Sequence, residues 1–154
     1  TGEGEPVVCR FAEAVNVARF DPSGGRLVAG LRDSFAQIID ARTGFPLGPR
    51  LLHEQRVVDA AFSPDGRQVA TASWDGQVKL WEASTGRLLA QPPRSSSWVI
   101  TLAFSPDGDR LLYGGAQASA HLWRPQEAPT AVQTWRHDQA VIATAFSPDG
   151  ERLA

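Results

Sequence analysis

The chain has 154 residues, 42% hydrophobic and 21% charged, a balance that describes a folded globular domain and excludes a disordered one. Its formal net charge of −2, from 15 basic and 17 acidic residues spread along the chain, leaves no electrostatic footprint for nucleic acid or an anionic membrane. Cys9 is the single cysteine, which excludes an internal disulfide and a Cys-rich zinc site, and no apolar run approaches the roughly 20 residues that cross a bilayer.

Residues 1–6 have neither the basic nor the apolar region of a secretory leader, so a reducing, cytoplasmic setting is expected. Methionine is absent even at position 1, and the chain is therefore expected to be a segment of a longer polypeptide. Lys79 is the only lysine among the basic residues, a usage that points to a high-GC, bacterial genome.

One motif organises the elements. Phe-x-Pro-x-Gly begins at Phe20, Phe62, Phe104 and Phe146, a constant step of 42 residues. Val15, Val57, Val99 and Val141 keep the same step, as do Thr1-Gly2, Thr43-Gly44 and Thr85-Gly86, and Ile39, Trp81 and Trp123. A fixed period of this length marks a stacked structural repeat.

In chain order, the sequence opens just before a fourth, outer strand, passes through three sets of first, second and third strands, and reaches the start of another second strand at residues 151–154. The clearest unit predicts a strand over 57–62, a turn at Ser63-Pro64-Asp65-Gly66, a strand over 68–73, a tight turn at Trp74-Asp75-Gly76 and a strand over 77–81. Proline presets φ in the first turn and glycine tolerates positive φ. Thr85-Gly86 then leads into a looser, more polar fourth strand over 87–91, as suits an outer edge. The whole chain, 1–154, reads as one domain of units 1–42, 43–84, 85–126 and a partial 127–154. Apolar residues on both faces of the first strands require cover on both sides of each small sheet, which stacking similar sheets around an axis supplies.

Phe-Ser-Pro-Asp-Gly, Ser-x-Asp-Gly, Lys-Leu-Trp and Thr-Gly, with a His nine residues before the Phe, together resemble the WD40 repeat. Unit two matches at His53, Phe62, Ser73, Asp75 and Trp81, with Glu82 where the family often has Asp and Leu52 where a Gly usually precedes the His. TolB-like propellers share the Phe-Ser-Pro-Asp-Gly turn, but the Leu-Trp and Thr-Gly placements favour WD40. The resemblance implies an all-β fold, β-propeller blades of four antiparallel strands in an incomplete ring. About 3.7 units are present, whereas a seven-blade ring of this repeat needs about 294 residues. Further blades of the same chain, or self-association, would complete the ring.

His53, Ser73 and Asp75 have the residue types of a hydrolase triad. The resemblance assigns them instead, with Trp81, to a hydrogen-bonded structural tetrad, and no nucleophile elbow or oxyanion hole accompanies them. The corresponding residues are Phe11, Leu31, Asp33 and Ile39 in unit one and Ser95, Gly115, Gln117 and Trp123 in unit three; unit four keeps His137. Such loss argues for reinforcement of a blade and against chemistry, with the second blade the most rigid. Asp65, Asp107 and Asp149 belong to turns and lack calcium-loop spacing. His121 has no partner at metal-ligand spacing. Gly114-Gly115 is too short for a phosphate loop, and Pro92-Pro93-Arg94 with its following serines reads as a loop. No catalytic residue, cofactor or metal is expected.

By the same resemblance, one face of the disc carries the loop before each first strand and the turn after each second strand, where exposed side chains meet partners. The matching residues are Asn16 and Arg32, then Arg56, Val58 and Trp74, then Trp98 and Ile100, then Ile142. Tryptophan and arginine are enriched in interface hot spots, and here they fall on adjacent blades. The expected function is a non-catalytic protein–protein interaction scaffold or regulatory module that receives a protein or peptide on this face. The alternatives are the sensor portion of a larger signalling protein with a kinase or nucleotide-hydrolysing domain elsewhere, and a propeller hydrolase.

Overall fold

The computed structural model describes residues 7–128 and 130–154. Thr1-Gly2, the first copy of the Thr-Gly turn, lies outside the described residues. Among them, twelve strands form three sheets of four. The first sheet holds β1 (Val15–Phe20), β2 (Arg26–Leu31), β3 (Phe35–Asp40) and β4 (Pro46–Leu52). The second holds β5 (Val57–Phe62), β6 (Gln68–Ser73), β7 (Val78–Glu82) and β8 (Leu88–Ala90). The third holds β9 (Val99–Phe104), β10 (Leu111–Gly115), β11 (Ser119–Trp123) and β12 (Val132–Arg136). Strand order follows chain order and every pairing is antiparallel. These are the four-stranded blades of an incomplete propeller; no ring closes among the described residues.

The middle blade shows why the sheets stack. Successive side chains of a strand point to opposite faces. Accordingly, Val69 and Trp81 enter a core with Val28, Ile38 and Leu51 of the first blade, while Ala70, Ala72, Val78 and Leu80 enter a second core with Val99, Leu102, Leu111 and Trp123 of the third. Both faces of the middle sheet are thereby removed from water. On the first blade the Phe20 side of the sheet has no neighbouring blade among the described residues: Phe20 is 66% exposed, against 8% for its repeat-mate Phe62.

The residues that recur every 42 positions are inter-blade contacts. A side chain at Gly30 would run into Val57 of the next blade, and one at Gly114 into Val141, so a small residue on the second strand makes room for the valine that opens the following blade. Pro22 lies against Gly66, Pro64 against Gly108 and Pro106 against Gly150, so the Pro-x-Gly turns of successive blades nest together. At two seams an arginine secures them. Arg26 Nη2 donates to the Gly66 carbonyl at 2.6 Å with its guanidinium over Phe62, and Arg110 Nη2 donates to the Gly150 carbonyl at 3.1 Å with its guanidinium over Phe146.

Gln68 takes the arginine position in the middle blade. There the seam is tied by Asp59 on β5, a 5% exposed carboxylate that no sequence motif marks. It accepts from Arg19 Nη2 of the first blade at 3.0 Å, from its neighbour Ala60 N at 2.9 Å and from Leu102 N of the third blade at 2.9 Å. One carboxylate thus joins three blades.

Residues 141–154 start a fourth unit but form no strand. Val141 N bonds to Gly115 O, Phe146 bridges Leu153, and Ala145 and Ala154 exchange backbone bonds.

Candidate interaction surface

Below the expected binding face lies the buried network of the middle blade. His53 precedes β5, Asp75 sits in the β6–β7 turn, and Trp81 is on β7. Neither the His53 nor the Asp75 side chain is exposed at all, and their Nδ1···Oδ2 separation is 2.8 Å. A ring nitrogen facing a carboxylate carries the proton, which leaves Nε2 as an acceptor. Thr71 Oγ1 lies 2.7 Å from that Nε2 and 2.8 Å from Trp81 Nε1. One assignment satisfies every atom: Trp81 N–H donates to Thr71, Thr71 O–H to His53, and His53 Nδ1–H to Asp75.

The hydroxyl in this chain is therefore Thr71 and not Ser73. Residues 71 and 73 share a face of β6, but Thr71 is two positions nearer the strand end that pairs with Trp81. Ser73 organises the turn instead: its Oγ donates to Gln55 O at 3.0 Å and accepts from Asp75 N at 3.1 Å.

Burial alone would raise the pKa of Asp75. The hydrogen bond from His53 and the amides of Glu54 and Gln77 overcome that and hold it at about 2. Burial lowers the pKa of His53, the bond to Asp75 opposing it, so the imidazole is neutral at pH 7 as the proton assignment requires.

The third blade shows what happens when the set is incomplete. Ser95 stands in place of His53, Tyr113 in place of Thr71 and Gln117 in place of Asp75. Gln117 still caps the loop, its amide oxygen accepting from Ser96 N at 2.7 Å and Ser97 N at 3.0 Å. Trp123 Nε1, however, is buried with no hydrogen-bond partner among the described residues. His121 stacks on Tyr113 with centroids 5.0 Å apart and bonds Thr134.

Above this network, three of the expected surface residues meet across two blades. Trp74, in the β6–β7 turn, stacks on Trp98, just before β9, with centroids 4.4 Å apart and planes 8° from parallel. The Arg56 guanidinium lies 4.1 Å from the Trp74 centroid. Two groups at these distances cannot share one face of the ring, so Trp74 is sandwiched and Trp98 and Arg56 form the outer layers. Trp98 is 48% exposed, whereas Trp74 is only half-buried to intermediate in exposure and has both ring faces covered.

The stack is built in by the loops beneath it. Gly76 has φ of +82°, and a Cβ there would lie 2.6 Å from Ser95 O, so glycine lets the 92–98 loop close onto the turn. Ser95 N bonds Gly76 O at 2.9 Å. Arg94 straps the same contact, donating from Nε to Asp75 O at 2.7 Å and from Nη2 to Glu54 at 2.8 Å. A hollow of about 460 Å3 remains between the loops, lined by Gln55, Trp74, Arg94, the serines 95–97 and Trp98.

The other expected surface residues are dispersed. Val58 and Ile100 are partly buried, Arg32 is exposed beside Asp33, and Ile142 is 75% exposed. Asn16 donates to Val57 O at 2.8 Å and so links two blades. Sequence reasoning missed Arg94 and the closeness of the two tryptophans; the available signal was that a blade's second turn and the next blade's first loop are neighbours on one face. Among the described residues no group of three His, Cys, Asp or Glu side chains can hold a metal ion, and no helix is long and apolar enough to cross a membrane.

The family model described as "WD domain, G-beta repeat" matches residues 50–82 and 86–124, which run from the outer strand of one blade through the third strand of the next. No curated protein matches the chain. Repeats of this family generally serve protein interaction and regulation. Residues 50–82 and 86–124 are therefore WD40 repeats, set in antiparallel four-stranded blades of an incomplete β-propeller.

Proposed function

We propose that the chain is a non-catalytic docking module and that it receives a protein or peptide on the face carrying Arg56, Trp74 and Trp98. The observation that carries this reading is the three-layer stack across two blades. It holds a half-exposed indole and an arginine without an ion pair among the described residues, and rigid aromatic and arginine side chains are what interface hot spots are made of. The buried network supports the absence of catalysis: His53 and Asp75 are sealed from solvent and the Thr71 hydroxyl is occupied on both sides.

The test is a Trp74→Ala, Trp98→Ala double variant. It should keep the fold, read from the protection of the Trp81 indole N–H, and lose binding of the parent's protein partners. A double variant that folds normally and binds every one of them removes the proposal.

A further inference from the structure

We infer that the segment docked on this face is an acidic peptide, in which an Asp or Glu carboxylate meets Arg56 and an aromatic or proline ring covers the outer face of Trp98. This rests on the docking reading above and adds the chemistry of the ligand.

The charge inventory of the face decides the sign. Glu54 is taken by Arg94 at 2.8 Å, and Asp75 is taken by His53 and buried. Arg56 has no ion pair or side-chain hydrogen bond among the described residues. A guanidinium packed over an indole at 4.1 Å makes that contact without using its N–H donors in ion pairs, and they are the groups that bind a carboxylate bidentately. On the neighbouring blade Arg32 likewise has no ion pair among the described residues, but it lies outside the stack; Arg56 is the unpaired cation held against the two indoles.

The ring requirement comes from the other end of the stack. Trp74 covers one face of Trp98, and the 48% exposure of that residue leaves the opposite side of the layer open to a further ring. Carboxylate and ring then attach to opposite ends of a sandwich whose centres span at most about 8.5 Å. In an extended peptide that places them two to four residues apart, roughly 7–13 Å of chain.

The experiment is panning of a random 12-residue peptide display library on the whole chain, followed by affinities of the selected peptides for wild type, Arg56→Gln and Trp98→Ala, each checked for folding by Trp81 indole protection. The inference expects Asp or Glu enriched two to four residues from an aromatic or proline, a loss of 10-fold or more in each variant, and weaker binding as salt rises. Selected peptides that need Trp98 but are neutral or basic overturn the acidic ligand and leave the docking reading standing. Peptides that bind both variants like wild type, or no enrichment at all, overturn the inference, and the first of these results removes the docking reading as well.

Discussion

Replacing Thr71 by Val keeps the shape of a fully buried side chain and deletes only its hydroxyl. Two buried atoms lose their partner together, His53 Nε2 and Trp81 Nε1. An orphaned buried polar group costs about 1–3 kcal/mol, so the expected loss for two is about 2–6 kcal/mol, a fall of at least several degrees in the unfolding midpoint at about 2–4 °C per kcal/mol. Ser73→Ala removes one bond to Gln55 O and one from Asp75 N at the turn, an expected cost of about 1 kcal/mol. Urea unfolding gives the stabilities, and hydrogen exchange of the Trp81 indole N–H gives the local effect, which should be large in Thr71→Val and small in Ser73→Ala. A Ser73 variant that is the more destabilised of the two, with Trp81 exchanging faster, refutes Thr71 as the centre of the network.

Acid should weaken the middle blade in two stages. His53 has its folded pKa below the unfolded value, so its contribution is present above about pH 6.5 and is lost as the pH falls toward the folded value; Asp75, at about 2 when folded, adds stability that is complete above about pH 4 and is lost on descent toward pH 2. A stability-against-pH series on wild type and His53→Ala checks this, and an unchanged slope below pH 6.5 in the variant contradicts it. Asp59 acts in the opposite direction, because burial raises its folded pKa and the folded chain takes up the proton first. Wild type should therefore gain stability relative to Asp59→Asn as the pH falls through that folded value; a difference independent of pH would show that the carboxylate is not held in this environment. Gly76→Ala should push the 92–98 loop off the turn and separate the two indoles, so the coupled-indole band in circular dichroism should disappear while Trp81 stays protected. Retention of that band would place the stack outside the control of the loop.

The strands of the middle blade were legible because period-2 burial and the Pro-x-Gly turn are local properties. The prediction of 57–62 and 68–73 coincides with β5 and β6, and the fourth strand shrinks only to Leu88–Ala90. What the repeat means was less legible. Pro64 and Gly66 suit a turn, but they also nest against Gly108 and Pro22 of neighbouring blades, a contact that no single unit reveals. The hydroxyl of the buried network was misplaced because Thr71 and Ser73 have the same parity, and proximity in sequence to Asp75 favours the wrong one. Arg56, Trp74 and Trp98 could be named individually from their positions in the repeat. Their stacking could not, since it depends on the 4.4 Å approach of loops from two blades that Gly76 and Arg94 bring together. Asp59 escaped because a lone carboxylate on an inner strand becomes significant only when Arg19 and Leu102 arrive from either side.

The most direct test of the binding face is a hydrogen–deuterium exchange footprint of the whole chain with and without a saturating peptide chosen by display. Protection should concentrate at 54–58, 74–76 and 95–100, the loops that carry Arg56, Trp74 and Trp98. Protection confined instead to the exposed side of the first blade around Phe20, or to 135–154 around Trp135 and Ile142, with these loops unchanged, would contradict the account.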